Sequence, residues 1–172
     1  MSQLLKSRGP FLTISFAAAI FFIAGCNRQP SEVQAQPMVP PQPLYSETAD
    51  AHAEIQSALT KAASEKKRVI LVFGGNWCGD CQVLNIYFHQ SPNAEILNSN
   101  FVLVDVNIGH YDTNTDIADK YGVPVTKGVP ALAVLDSKGG VLYSQRNHEF
   151  SAMRSIDPAS VTEFLNHWKP NS

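Results

Sequence analysis

The chain has 172 residues, 44% of them apolar and 16% charged, with 13 Lys and Arg against 15 Asp and Glu, a formal charge of −2. This balance provides no basic surface for nucleic acid, and the composition is neither disordered nor collagenous, so it describes one ordinary globular domain with additional segments. Three cysteines are an odd number that a framework of structural disulfides cannot consume, and each needs its own account.

Residues 1–25 form an export signal. Lys6 and Arg8 give a short positive start, and the largely apolar run Phe11 to Ala24 is too short to span a bilayer comfortably as one helix. The run ends at Ile23-Ala24-Gly25-Cys26, which resembles the lipobox of bacterial lipoproteins. That resemblance implies cleavage before Cys26, acylation of Cys26 and, with Asn27 next, the periplasmic face of the outer membrane in a Gram-negative host. Cleavage at another small residue, leaving Cys26 a free thiol, and an uncleaved anchor are the other two readings. Losing the signal leaves eleven basic against fifteen acidic residues, a balance of −4, so membrane attachment would rest on acyl chains and not on charge.

From residue 26 to 46 the composition shifts to Pro, Gln, Ser, Glu and Val, with prolines at 30, 37, 40, 41 and 43. Such a segment cannot form a core and reads as a tether, reaching about 25 Å as a coil and up to about 60 Å as polyproline II.

Residues 47–172 read as one α/β domain. Ala51, Ile55, Ala58, Leu59 and Ala62 recur at helical spacing. Val69 to Phe73 is an unbroken β-branched and aromatic run, the pattern of a strand buried on both faces. A helix is expected from Cys81 to about His89, a second one capped by Ser91-Pro92 through Leu97, a buried strand over Phe101 to Val106, and a short helix over Asp116 to Tyr121. Ala131 to Leu135 and Val141 to Ser144 predict a hairpin around Ser137-Lys138-Gly139-Gly140. Asp157-Pro158 opens a last helix with Val161, Phe164, Leu165 and Trp168 inward. This order predicts a parallel strand pair followed by an antiparallel hairpin.

The chemistry concentrates in Trp77-Cys78-Gly79-Asp80-Cys81. A Cys-x-x-Cys between a buried strand and a helix places the first thiol at the helix N-terminus, where free N–H groups and the macrodipole favour thiolate. Cys78 is therefore the expected nucleophile, and Cys81, one turn on and shielded, the resolving thiol. Half of a zinc site, completed by His89 or His110, and a static disulfide are the alternatives.

WCGDC after a buried strand, with Gly128-Val129-Pro130 before the hairpin, resembles thioredoxin over nearly all of residues 47–170. FGGNWCGDC, VDVNIGHYDTN, KYGVPVTKGVPALAVLD and FLNHWK resemble a branch of exported bacterial thioredoxin-like proteins. The resemblance implies a central mixed sheet flanked by helices, a cis Pro130 facing the cysteine pair, substrate backbone pairing at Val129, and Trp77 flanking the site. Two departures stand out. Val72 occupies the place of the buried Asp that accepts a proton from the resolving thiol, and Asp80 replaces the Pro between the cysteines. The Asp80 carboxylate opposes thiolate formation at Cys78, which favours a reductase or isomerase-like role over an oxidant, and it is a candidate proton relay to Cys81.

His110, Asp112 and Asp116 share a loop that reads as a solvated acidic surface, and no metal site is assigned. Gly122 to Gly128 and Arg146 to Ile156 are extensions beyond a minimal thioredoxin. The expected activity is thiol–disulfide exchange on protein thiols and disulfides, with no organic cofactor and with electrons from a membrane donor. A copper or zinc carrier and a non-catalytic interaction domain are the competing readings.

Overall fold

A computed structural model describes residues 43–171; the expected export signal, Cys26 and residues 27–42 of the expected tether lie outside them. Among the described residues no helix is long and apolar enough to cross a membrane.

Asp50 starts the first helix, its Oδ1 accepting from the Ala53 N–H at 3.1 Å. Helix α1 (Ala51–Glu65) buries Ala51, Ile55, Ala58 and Ala62 and stops at Lys66, whose left-handed backbone (φ 57°) lets its N–H return to the Ala62 carbonyl. The chain turns directly into β1 (Arg68–Gly74). Val69, Leu71 and Phe73 enter one hydrophobic cluster and Ile70 and Val72 the other, which is why the run shows no polar alternation. There follow α2 (Gly79–Phe88), α3 (Asn93–Asn100), β2 (Phe101–Asn107), α4 (Thr115–Lys120), β3 (Ala131–Leu135), β4 (Val141–Ser144) and α5 (Ala159–Trp168). The strands lie in the order β2-β1-β3-β4, with β1 parallel to β2 and the other pairs antiparallel. This is the expected mixed sheet, with a core on each face.

At α5, Asp157 Oδ1 accepts from the Ala159 N–H at 3.0 Å while Pro158 already has helical backbone, as the Asp-Pro pair predicts. The entry to α3 differs from expectation. Ser91 does not cap the backbone; its hydroxyl donates to Glu95 Oε1 at 2.9 Å, and the Ser91–Pro92 bond is cis. The anchor is the buried Asn93, whose Nδ2 donates to the Tyr87 carbonyl and whose Oδ1 accepts from Thr162 Oγ1 at 2.6 Å. One amide thereby ties α2, α3 and α5 together.

The domain also begins before residue 47. Tyr45, placed in the tether by composition, is fully buried. Its N–H donates to Asn76 Oδ1 and its carbonyl accepts from Asn76 Nδ2, both at 2.9 Å, and Asn107 Nδ2 holds the Ser46 carbonyl at 3.1 Å. Two side-chain amides supply the hydrogen bonds that a strand would otherwise supply, so a segment without periodicity packs as a strap on the domain.

Buried Gln145 fixes the hairpin to the loop before it. Its Oε1 accepts from the Leu132 N–H at 3.3 Å and its Nε2 donates to the Pro130 carbonyl at 3.2 Å. Gln145→Leu orphans both backbone groups, and chemical denaturation is expected to show a loss of about 1–3 kcal/mol.

Candidate active site

The turn from β1 to α2 builds the centre of the site. Cys78 is the N-cap of α2 with extended backbone, and its Sγ accepts the Cys81 N–H at 3.1 Å. A sulfur occupies the position normally taken by a Ser or Asp oxygen, so a backbone dipole and the helix N-terminus both point at it. Cys78 and Cys81 are joined in a disulfide with Cα atoms 5.2 Å apart. Both are buried, Cys78 at 5% exposed and Cys81 at 1%.

The loop before β3 closes over this pair. Val129–Pro130 is cis, as the resemblance implies, and the Val129 carbonyl lies 3.6 Å from Cys78 Sγ. Gly128 has φ 134°, a backbone conformation that favours glycine. Trp77 stands on the other flank, 45% exposed. Its Nε1 donates to the Gly109 carbonyl at 2.6 Å, and its ring stacks on His110 with centroids 5.6 Å apart and lies against Tyr111. The exposed indole is thus held rigidly by the loop after β2.

Asp80 is not free to relay protons. Arg154 Nε and the Arg154 N–H donate to its Oδ1 at 3.1 and 3.0 Å, and Arg154 Nη2 to its Oδ2 at 2.9 Å. These bonds to Arg154 hold the carboxyl below its ordinary value. It stays ionised and engaged, a poor acceptor for a thiol proton, so the expected relay is corrected to a clamp. The clamp draws in the extension Arg146 to Ile156: Met153 is buried beneath it, and Ser151 and His148 pack where a Cβ on Gly128 would lie. The extension therefore walls the site. The guanidinium also offsets the negative charge that Asp80 brings to the first turn of α2.

Val72 is buried and apolar, so no carboxylate lies at its position in β1. The parallel register instead pairs Val72 with Asp105 on β2, which the sequence reading passed over. Burial pushes the Asp105 carboxyl up to about 6, with His89 opposing and Glu54 adding to the rise. The acidic loop residues are otherwise occupied. Asp112 Oδ1 accepts from the His110 N–H at 2.9 Å, Asp116 pairs with His52 Nε2 at 3.0 Å, and His89 Nδ1 contacts the Asn85 carbonyl. Among the described residues no group of three His, Cys, Asp or Glu side chains converges as a metal site.

Known proteins share this fold. The profile of a family described as thioredoxin-like matches residues 50–137. The chain belongs to the thioredoxin-like family. A disulphide isomerase from Xylella fastidiosa Temecula1 is 31% identical, over 72% of this chain and 95% of that one, with a TM-score of 0.69. A thioredoxin from Thermus thermophilus is 24% identical over 64% of this chain and 80% of its own, with a TM-score of 0.44. The oxidised C-terminal domain of DsbD from Neisseria meningitidis is 18% identical over 70% and 94%, with a TM-score of 0.45. No curated protein matches the chain.

Two predictions concern the carboxylates. Arg154→Met exposes the Asp80 charge to Cys78, and the alkylation rate of Cys78 at pH 7 in the reduced protein is expected to fall roughly threefold to tenfold. Asp80→Asn in the same background is expected to restore it. Asp105, whose carboxyl is raised in the folded state, binds more protons folded than unfolded between about pH 4 and 6. Stability falls as pH rises through that window, and Asp105→Asn flattens this part of a pH series of denaturation curves.

Proposed function

We propose that the protein is a lipid-anchored, exported thiol–disulfide oxidoreductase acting on protein disulfides as a reductase or isomerase. The observation that carries this reading is the seat of Cys78: an N-cap sulfur accepting the Cys81 N–H and lying 3.6 Å from the Val129 carbonyl. In the reduced protein the Cys78 thiolate attacks one sulfur of a substrate disulfide. The substrate S–S bond breaks, a mixed disulfide forms at Cys78, and the second substrate sulfur leaves as thiolate. Cys81 Sγ then attacks Cys78 Sγ, closing the intramolecular disulfide and releasing the reduced substrate. Two electrons pass to the substrate, and a membrane dithiol donor returns them. In isomerisation the substrate thiolate displaced in the first step attacks another disulfide of its own chain. The thiolate freed there attacks the substrate sulfur of the mixed disulfide, forming a new substrate S–S bond and releasing Cys78 as thiolate, so the pair ends reduced.

Val129 is the substrate's backbone partner. Its N–H and carbonyl take no backbone hydrogen bond among the described residues, leaving both to an extended peptide laid along the loop as an added strand. Pro130 shapes that edge and Trp77 supplies an apolar contact beside it. The likeness to the Xylella disulphide isomerase supports the choice of protein disulfides over small-molecule substrates. The lipobox-like Ile23-Ala24-Gly25-Cys26 and the proline-rich segment after it support an envelope location in which the domain is leashed near its electron donor.

Trapping tests the reading. Cys81→Ser removes the resolving thiol, and in the native envelope Cys78 is expected to accumulate mixed disulfides that a reductant releases and that Cys78→Ser abolishes. Normal expression of Cys81→Ser with no trapped protein, together with no reduction of insulin by the wild type, would contradict it.

A further inference from the structure

Tyr45 is fully buried, and its hydroxyl is the single buried side-chain polar atom without a hydrogen-bond partner among the described residues. Buried polar groups are nearly always paired, and an unpaired one costs about 1–3 kcal/mol. The position of this one is informative. A Cβ built on Gly74 would collide with the Tyr45 hydroxyl, would lie 2.6 Å from Tyr45 Cζ and would lie 2.8 Å from Cys81 Sγ. The hydroxyl and the resolving sulfur thus both lie within 3 Å of the point where a Gly74 side chain would begin, and only a residue without a Cβ lets the two share that space. Tyr45 is carried there by the strap: Asn76, two residues before Cys78, holds both backbone polar groups of Tyr45, and Asn107 holds the next carbonyl.

We propose that Tyr45 is a redox-tuning residue whose hydroxyl donates a hydrogen bond to Cys81 Sγ once the disulfide opens, favouring the reduced form of the pair. In the oxidised protein that sulfur is a weak acceptor held in the S–S bond, and the hydroxyl has nothing to bond. When a dithiol donor is oxidised to its disulfide, two electrons enter the Cys78–Cys81 bond and break it, leaving Cys81 as thiolate within reach of the phenol. The phenol keeps its proton. Burial, and after it the Asp105 charge, raises its pKa well above the ordinary value, so it acts as a donor only, and the proton that later converts thiolate to thiol comes from solvent. Asp105 is the charged group acting on the phenol, and Asp105 is in turn influenced by His89 and Glu54. The inference deepens the proposed function and rests on the pair being cycled.

Tyr45→Phe removes only the hydroxyl and keeps the buried ring. Equilibration with glutathione buffers is expected to show the variant's disulfide favoured about tenfold over wild type, about 30 mV more negative. In a Cys78→Ser background, the alkylation of Cys81 is expected to require higher pH when Tyr45 is replaced. Thermal denaturation of oxidised Tyr45→Phe is expected at or above the wild-type temperature, since an unpaired buried group is gone. A change in the glutathione equilibrium below threefold, or in the opposite direction, overturns the inference. The equilibrium can be measured whether or not any protein substrate is reduced, so loss of the functional reading through inactive wild type remains a separate result.

Discussion

The hydrogen bond from the Cys81 N–H to Cys78 Sγ is the constraint on which the rest of the site depends. It exists because β1 ends at Gly74 and the chain enters α2 four residues after it with Cys78 as the N-cap. One sulfur is placed in the electrostatic field of a helix start and the other is turned inward a helical turn later. The Val129–Pro130 loop, the Trp77 shelf and the Arg154 clamp are each built around that turn. Removing the N-cap position would leave a disulfide of ordinary reactivity on the same fold.

Charge around the pair is redistributed relative to what the resemblance implies. The carboxylate between the cysteines is neutralised by an arginine 74 residues away, so the acidic first turn of α2 does not act on Cys78 as a bare charge. No acid lies at Val72; the sheet carries one on the neighbouring strand, at Asp105, with its carboxyl raised by burial. The extension that contributes Arg154 also packs on the loop carrying Gly128. Length added to the chain before α5 therefore bears on the turn between the cysteines and on the loop that closes over them.

Much of this was legible in the sequence where the signal is local. The β1 run, the Cys-x-x-Cys at a helix start, the Asp157-Pro158 cap and the hairpin around Gly139 each depend on residues within a few positions, and each lies where its pattern places it. The missed features all depend on distant partners. Tyr45 is assigned to a tether because five prolines dominate the composition around it, while its burial comes from Asn76 and Asn107. The Asp80 clamp needs Arg154, and the Asp105 placement needs the strand register. Asn93 takes the anchoring role that Ser91-Pro92 suggests, through bonds to Tyr87 and Thr162 that no spacing rule contains.

The central claim is that the two sulfurs are unequal, with Cys78 the activated nucleophile. Alkylation of the fully reduced protein at pH 7, followed at each cysteine by mass spectrometry, tests it most directly. The account predicts that Cys78 reacts at least about tenfold faster than Cys81, because its thiolate is favoured by the α2 N-terminus and it is the more accessible of the two. Equal rates, or faster modification of Cys81, would contradict it.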